Sequence, residues 1–241
     1  MAQRDRPLLA VLIDADNIPA KFAEAILKEI TTLGEPALRR VYGDWSSGAL
    51  RNWADKVLEL GLVAHQETAN TKGKNASDIG LVIDAMDILH AGRFDGFVLV
   101  SSDSDFTRLA SRIREEGLDV FGIGEGKAPV SLRNVCNRFI LIENLQDDAT
   151  EPTADGPAAR AVSSTKKKPQ DALPLIISAM EKMEQDDDWV ALGALGSTIV
   201  AAVPDFDTRT YGKRKLSELI GDIKRLETRK DGNQLMVRRR D

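Results

Sequence analysis

Two apolar segments, residues 8–13 (LLAVLI) and 96–100 (GFVLV), constrain the fold more than any other feature of this sequence. Neither segment alternates apolar with polar residues, as a strand with one solvated face would. Unbroken apolar runs of this length are typical of parallel strands that helices cover on both faces of a sheet. The sequence therefore predicts an α/β domain with a mainly parallel sheet.

Strand-like and helix-like segments alternate along the first 145 residues, which is the pattern of a doubly wound α/β domain. The predicted strands are at 8–13, 38–42, 62–65, 96–100, 120–123 and 139–142. The predicted helices are near 19–33, 47–60, 77–91, 105–116 and 129–137. On the third of these helices, we expect the buried face to consist of Ile79, Val82, Ile83, Met86 and Leu89.

A change of composition divides the chain into two domains. Residues 146–170 contain three prolines, and Val162 is their one large aliphatic residue. Such a segment cannot bury enough apolar area to offset the entropy lost on ordering. We therefore expect a flexible linker at 146–170 between a domain at 1–145 and a second domain at 171–241.

The second domain is predicted to contain three helices and a β-hairpin. An apolar stripe from Leu173 to Met183 indicates the first helix, and the others are expected within 190–203 and 209–223. Asp231-Gly232 lies between two β-like runs and predicts the hairpin. This order of elements is that of a small winged helix-turn-helix, a fold that binds nucleic acid in some proteins and protein partners in others.

Composition narrows the classes of function. No apolar run approaches the roughly 20 residues that a membrane span requires, and the N-terminus has no apolar signal core, so we expect a cytoplasmic protein. One cysteine and two histidines exclude an intrachain disulfide and argue against a Cys/His zinc site. The net charge is -5, yet residues 209–240 carry 11 Lys or Arg against 4 Asp or Glu. This basic segment fits either a nucleic-acid interface or a solvated surface.

Carboxylates directly follow both apolar strands. Asp14 and Asp16 follow the first strand, and Asp103 and Asp105 follow the fourth. In open α/β sheets, ligands bind beyond the carboxyl ends of strands where the strand order reverses, so the two pairs converge if these strands are neighbours. Asp78, in the first turn of the helix at 77–91, would border the same edge. Carboxylates this close repel one another unless a cation neutralises them, which favours Mg²⁺ or Mn²⁺.

Several of these residues also have a structural interpretation. Asp16, Asn17 and Asp105 are of the types that cap helix N-termini. Asp78 is favoured in a first turn by the helix dipole. Capping explains Asp14 less well, because that residue directly ends an apolar strand. The two interpretations predict different positions for these side chains relative to the helix ends.

Three motifs, LIDADNIP, KNASDIGLVIDAM and VLVSSDSDF, occur in this order within residues 7–145. Together they resemble the NYN group of PIN-like nucleases, in particular its bacterial LabA-like branch. The resemblance implies a Rossmann-like α/β/α sandwich and a metal-dependent ribonuclease, or in some members an inactive RNA binder. It implies catalytic and metal-binding roles for Asp14, Asp78, Asp103 and Asp105, a further metal-binding role for Asp16 and a supporting role for Asn17. Ser102 stands where many members have glycine. Because serine is small, we expect Ser102 to preserve the loop and to support the site.

The segment VPDFDTRTYGKRKLSELI and the hairpin after it resemble the OST-HTH/LOTUS domain. That resemblance implies RNA binding or, in some members, a protein partner. The basic residues that we expect to contact RNA are Lys213, Arg214 and Lys215 in this segment, with Lys72 and Lys74 in the loop before the Asp78 helix. Alternatively, Lys213, Arg214 and Lys215 are exposed charges that only keep the surface solvated.

Two other functions fit parts of the sequence. IDADN matches the D-x-D of haloacid-dehalogenase-like phosphatases, but those enzymes usually carry Thr or Val where Ile18 stands. A catalytically inactive RNA-binding adaptor fits the same domain organisation. Ribonuclease chemistry by paired histidines is poorly supported, because His65 and His90 lie outside the motifs. Three segments that direct carboxylates to one sheet edge favour the metal-dependent ribonuclease.

Overall fold

The computed structural model describes residues 5–67, 76–145, 166–183 and 188–240. The chain divides into two compact units, Met1–Thr153 and Ala154–Asp241. Most of the segment expected to be a linker, residues 146–165, lies outside the described residues. Within the described ranges, no helix combines the length and apolar character of a membrane span.

The described residues of the first unit form an α/β/α sandwich around one parallel sheet of six strands, in the order β3-β2-β1-β4-β5-β6. The strands are β1 (Leu8–Asp14), β2 (Glu35–Gly43), β3 (Val63–Gln66), β4 (Gly96–Val100), β5 (Asp119–Gly124) and β6 (Arg138–Leu141). The helices are α1 (Ala23–Leu33), α2 (Arg51–Glu59), α3 (Ala76–His90), α4 (Phe106–Glu115) and α5 (Val130–Val135). The predicted α/β fold with a parallel sheet is confirmed.

The two apolar runs occupy the centre of the sheet. β1 and β4 are hydrogen-bonded neighbours, with Leu9 opposite Gly96 and Ile13 opposite Val100. Every residue of β4 is buried, as is every residue of β1 after Leu8. Alternate residues of β1 belong to two separate hydrophobic clusters, one on each face of the sheet. Coverage on both faces therefore explains why neither run alternates with polar residues.

Helix α3 buries a face that only partly matches the predicted one. Ile79 and Ile83 are 63% and 58% exposed, so their assignment to the buried face was wrong. The buried residues are Leu81, Ala85, Ile88 and Leu89, of which Leu89 was predicted. Val82 and Met86, also predicted, pack partly buried against the same cluster.

Asp84 accounts for the orientation of α3. Its carboxylate accepts hydrogen bonds from the Arg40 guanidinium and the Tyr42 hydroxyl, both on β2. These contacts turn the Asp84 side of the helix toward the sheet, which carries Ile79 and Ile83 outward. Burial and the neighbouring Asp84 carboxylate raise the pKa of Tyr42, so this hydroxyl remains a hydrogen-bond donor.

The described part of the second unit has the elements of a winged helix-turn-helix. Its helices are α6 (Leu173–Glu181), α7 (Leu192–Ala202) and α8 (Leu216–Gly221), and its strands are β7 (Val190–Ala191), β8 (Leu226–Asp231) and β9 (Gln234–Arg239). The strands form an antiparallel sheet in the order β7-β9-β8. Gly232 has a φ of 56°, as a two-residue hairpin turn requires. Strand β7 was not predicted, because two residues are too few to show alternation.

Candidate active site

The strand order of the first sheet reverses between β1 and β4. Strand β2 lies on the far side of β1, and β5 lies on the far side of β4. Such a reversal leaves a crevice beyond the carboxyl ends of the two central strands. Asp14 is the last residue of β1, and the Ser101–Asp105 loop follows β4 directly. The condition for the two carboxylate pairs to converge, that their strands be neighbours, is therefore met.

Asp14 is a buried carboxylate with three hydrogen-bond donors. Its side chain is 1% exposed. It accepts hydrogen bonds from the Asn17 side-chain amide at 2.7 Å, the Asn17 backbone N–H at 3.3 Å and the Ser101 hydroxyl at 2.8 Å. Burial raises the pKa of Asp14, and the hydrogen bonds from Ser101 and Asn17 act in the opposite direction. These donors fix the orientation of the carboxylate at the sheet edge.

Ser101 connects the two strand ends, a role that the sequence analysis missed. Its hydroxyl donates to Asp14 and accepts the backbone N–H of Asp103 at 3.1 Å. The available signal was its position, directly after the last residue of a fully buried strand. Ser102 has a separate role, because its buried hydroxyl accepts the backbone N–H of Glu125 at 2.8 Å and so ties the loop to the end of β5.

The capping interpretation does not account for the acids after β4. Asp105 occupies the N-cap position of α4, but its side chain makes no capping hydrogen bond to that helix. Asp103 instead accepts the backbone N–H of Asp105 at 2.9 Å, which closes a local turn before the helix. Asp103 is half-buried and Asp105 is exposed.

The residues after β1 are also not helix caps. The first helical turn after β1 begins at Ala20, and its N-cap position is Pro19. Asp16 and Asn17 therefore lie before the capping position. Asn17 instead donates a hydrogen bond to Asp14, and Asp16 is exposed. The supporting role that the resemblance implies for Asn17 stays a prediction.

Asp78 brings a third segment to this edge. It lies half-buried in the first turn of α3. Burial and, to a smaller extent, the nearby carboxylates of Asp14, Asp103, Asp105 and Asp16 together raise the pKa of Asp78 to about 6. Five carboxylates from three segments thus share one electrostatic environment. All five were predicted as site residues.

The donor set suits a hard divalent cation. Carboxylate oxygens are the ligands that Mg²⁺ and Mn²⁺ prefer, and a cation would offset the repulsion that raises the pKa of Asp78. In the described ranges, however, no three His, Cys, Asp or Glu side chains are grouped closely enough to form a ready-made metal site. Asp14 and Asp103 each direct their oxygens to donors in their own or neighbouring loops.

A groove opens beside the segment that follows Asp14. Trp53 of α2 is buried, and its indole N–H donates to the Ile18 carbonyl at 2.7 Å, which anchors this segment. The groove has a volume of about 370 Å³, and its lining includes Asp16, Lys21 and Asn52. It therefore places an ammonium group and amide groups in the same groove as Asp16, one of the five carboxylates.

The predicted RNA-contacting residues fall into two groups. Lys72 and Lys74 lie outside the described residues, so their approach to a phosphate stays a prediction. In the second unit, the Lys213 ammonium pairs with Asp222 at 2.5 Å, and the Arg214 backbone N–H donates to Glu218 at 3.1 Å. The charge of Lys213 is thus partly offset within its own unit.

Comparisons with known proteins identify both parts of the chain. The family model of the NYN domain matches residues 8–143, and that of the OST-HTH/LOTUS domain matches residues 163–237. No protein of curated function matches the chain.

Two solved structures are similar to parts of it. A protein of unknown function from Vibrio parahaemolyticus is 21% identical, with a TM-score of 0.49 and coverage of 59% of this chain and 96% of that chain. An uncharacterized protein from Nitrosomonas europaea, whose structure was solved by NMR, is 27% identical, with a TM-score of 0.28. The match covers 38% of this chain and 91% of that chain.

Proposed function

Because the chain belongs to the NYN domain family, we propose that it is a metal-dependent ribonuclease that hydrolyses RNA phosphodiester bonds at the β1–β4 edge. The observation that carries this proposal is the convergence of five carboxylates from the end of β1, α3 and the loop after β4. The other four add to the effect of burial in raising the pKa of Asp78 to about 6. So much negative charge at the reversal point of an α/β sheet is costly unless a cation offsets it.

Asp14, Asp78, Asp103 and Asp105 would hold Mg²⁺ or Mn²⁺, with Asp16 as a further ligand. A bound ion of this kind lowers the pKa of water and stabilises the charge on the leaving oxygen. Hydrogen bonds from the chain then position the acids. The Ser101 hydroxyl and the Asn17 amide orient the Asp14 carboxylate, and the Ser102 hydroxyl holds the β4 loop against β5.

The groove beside Asp16 supports RNA as the substrate. Lys21 offers a cation for a phosphate next to the one that is cleaved, and Asn52 offers an amide for hydrogen bonds to a nucleotide. The OST-HTH/LOTUS domain belongs to a class of RNA-binding domains, so we assign RNA binding to the second unit as well. A protein partner for that domain and a cytoplasmic location stay predictions.

An RNA-binding adaptor without hydrolytic activity is the second candidate function. It is favoured by one observation, the lack of a preformed ligand set among the residues that the structure describes. In this case the family fold would be kept for binding alone.

Cleavage assays with the purified full chain distinguish the two candidates. We expect labelled single-stranded RNA to be hydrolysed with Mn²⁺ or Mg²⁺, hydrolysis to stop with excess EDTA, and activity to return when the metal is restored, because the carboxylates need a cation to act on a phosphodiester. Gel analysis of products from RNAs of several lengths is the measurement. If the protein binds these RNAs but cleaves none of them with either metal, the adaptor function replaces the nuclease.

A further inference from the structure

The small sheet of the second unit has one face in the core and one face directed outward. Val190 of β7 lies opposite Val237 of β9, and both are buried. Side chains alternate between the faces of a sheet, so the residues next to this pair project outward. On β9 the next residue is Arg238, which lies opposite Glu227 of β8, and Trp189 immediately precedes β7.

Trp189 is held on this outer face by two arginines. The guanidinium carbon of Arg229 lies 4.3 Å from the centre of the indole ring, and that of Arg238 lies 4.8 Å from it. Arg229 comes from β8 and Arg238 from β9, so both strands of the hairpin contribute. Both distances are within the range in which cation–π attraction is significant.

Further arginines extend this basic area. Residues 224–240 carry seven Lys or Arg and two Asp or Glu. Arg238, Arg239 and Arg240 line a cavity of about 580 Å³ together with Glu227 and Asp188. We call the outward set Trp189, Arg229, Arg238 and Arg240 the Trp–Arg surface.

We propose that the Trp–Arg surface is the site at which the second unit binds the phosphate backbone of single-stranded RNA. The edge of an arginine guanidinium fits a phosphate with two hydrogen bonds, and stacking of its face on an aromatic ring does not prevent this. In Arg238 that edge is bonded to Glu227, which a phosphate would replace. Stacking on Trp189 also restricts Arg229 and Arg238 before binding, so less side-chain entropy is lost when RNA binds. Aromatic and guanidinium planes can in addition stack on unpaired bases, which favours a single strand over a duplex.

Two carboxylates moderate this surface. Glu227 accepts hydrogen bonds from Nε of Arg238 at 2.6 Å and from Nε of Arg240 at 3.3 Å, and Asp188 lines the same cavity. A phosphate that binds these arginines must compete with Glu227. Removing the charge of Glu227 therefore strengthens RNA binding if the arginines are the binding groups, whereas it has little effect if RNA binds elsewhere.

The inference rests on the proposed function in taking RNA as the ligand, but its test does not depend on cleavage. The background is the full chain with Asp14→Asn, in EDTA, and the probe is a fluorescent single-stranded RNA followed by anisotropy at several salt concentrations. We expect the double variant Arg229→Ala, Arg238→Ala to bind about 10-fold or more weakly, with a reduced salt dependence. Trp189→Ala should weaken binding as well, and Glu227→Gln should strengthen it.

The matched control is Arg214→Ala, Lys215→Ala, which removes the same charge from the segment that the sequence singled out. It should lose much less affinity than the Arg229, Arg238 pair. The variant Arg229→Lys, Arg238→Lys keeps the charge and the fold but not the bidentate geometry, and an intermediate affinity is expected.

Equal losses in the two alanine pairs, or no gain from Glu227→Gln, would overturn the inference. A further result would also overturn it: the double variant Arg229→Ala, Arg238→Ala binds RNA as the wild type does but no longer binds polyglutamate. The surface would then be a binding site for acidic protein. If the wild type cleaves RNA and the surface variants bind normally, this inference alone fails. If RNA binds at the surface and is never cleaved, the nuclease proposal alone fails.

Discussion

Asp14→Asn is expected to lower the rate of metal-dependent RNA cleavage by about 100-fold or more, because it removes a charged ligand that the other carboxylates cannot replace. The fold should remain intact. Burial raises the pKa of Asp14, which means that the charged carboxylate lowers the stability of the folded protein at this position. Asparagine removes this charge but has one acceptor oxygen where the carboxylate has two, so it also loses a hydrogen bond from Asn17 or Ser101. Because the two effects oppose each other, we expect the melting temperature to change by only a few degrees. Single-turnover cleavage and a circular dichroism melt measure the rate and the melting temperature.

Asp87→Asn is the matched control for this substitution. Asp87 is an exposed carboxylate on α3, the helix that also carries Asp78. Its loss changes the net charge by the same amount, and the cleavage rate should stay within about twofold because screening weakens a distant exposed charge. If the Asp14→Asn variant cleaves RNA at the wild-type rate, or if both variants lose the same activity, Asp14 is not part of the active site.

Gly124→Ala is expected to reduce both stability and activity, because β5 passes too close to the β4 loop for a side chain. A Cβ at Gly124 would lie 2.6 Å from the Ser101 carbonyl oxygen and 3.0 Å from the Phe139 ring. Backbone and a buried ring cannot yield cheaply, so we expect a loss of roughly 1–3 kcal/mol in the free energy of unfolding. Displacement of Ser101 would also disturb the hydrogen bond that orients Asp14. Urea unfolding and the cleavage rate are the measurements.

Gly126→Ala, two residues further along, is the control for this prediction. The nearest atom to its Cβ would be Glu143 Oε1 at 3.4 Å, at the flexible end of a side chain. Stability and cleavage should change little. If Gly124→Ala is as stable and as active as Gly126→Ala, the close packing of β5 on the β4 loop does not control the site.

The central strands and their acids could be predicted from sequence because their signal is local. Unbroken apolar runs indicate strands covered on both faces, and the carboxylates follow those runs directly. The sequence could not predict that β1 pairs with β4, so the convergence of their carboxylates was expected only if the two strands were neighbours. The pairing depends on the order in which six strands assemble, and that order is set by contacts between residues far apart in the chain.

The remaining features required the structure for specific physical reasons. Ser101 contacts a carboxylate 87 residues away, so no local pattern indicates its role. Helix α3 is apolar on several sides, and its sequence therefore does not determine which face is buried; the contacts of Asp84 with Arg40 and Tyr42 do. The stacking of Arg229 and Arg238 on Trp189 depends on the pairing of β9 with β7, and β7 has only two residues.

The most direct test of the carboxylate site is a crystal of the full chain soaked in Mn²⁺, with anomalous diffraction used to locate the metal. The site predicts a manganese peak between Asp14, Asp78 and Asp103, with carboxylate oxygens about 2.1 Å from the ion. A fully soaked crystal with no peak at the carboxyl ends of β1 and β4, and with Asp14 still bound to Asn17 and Ser101, would contradict it.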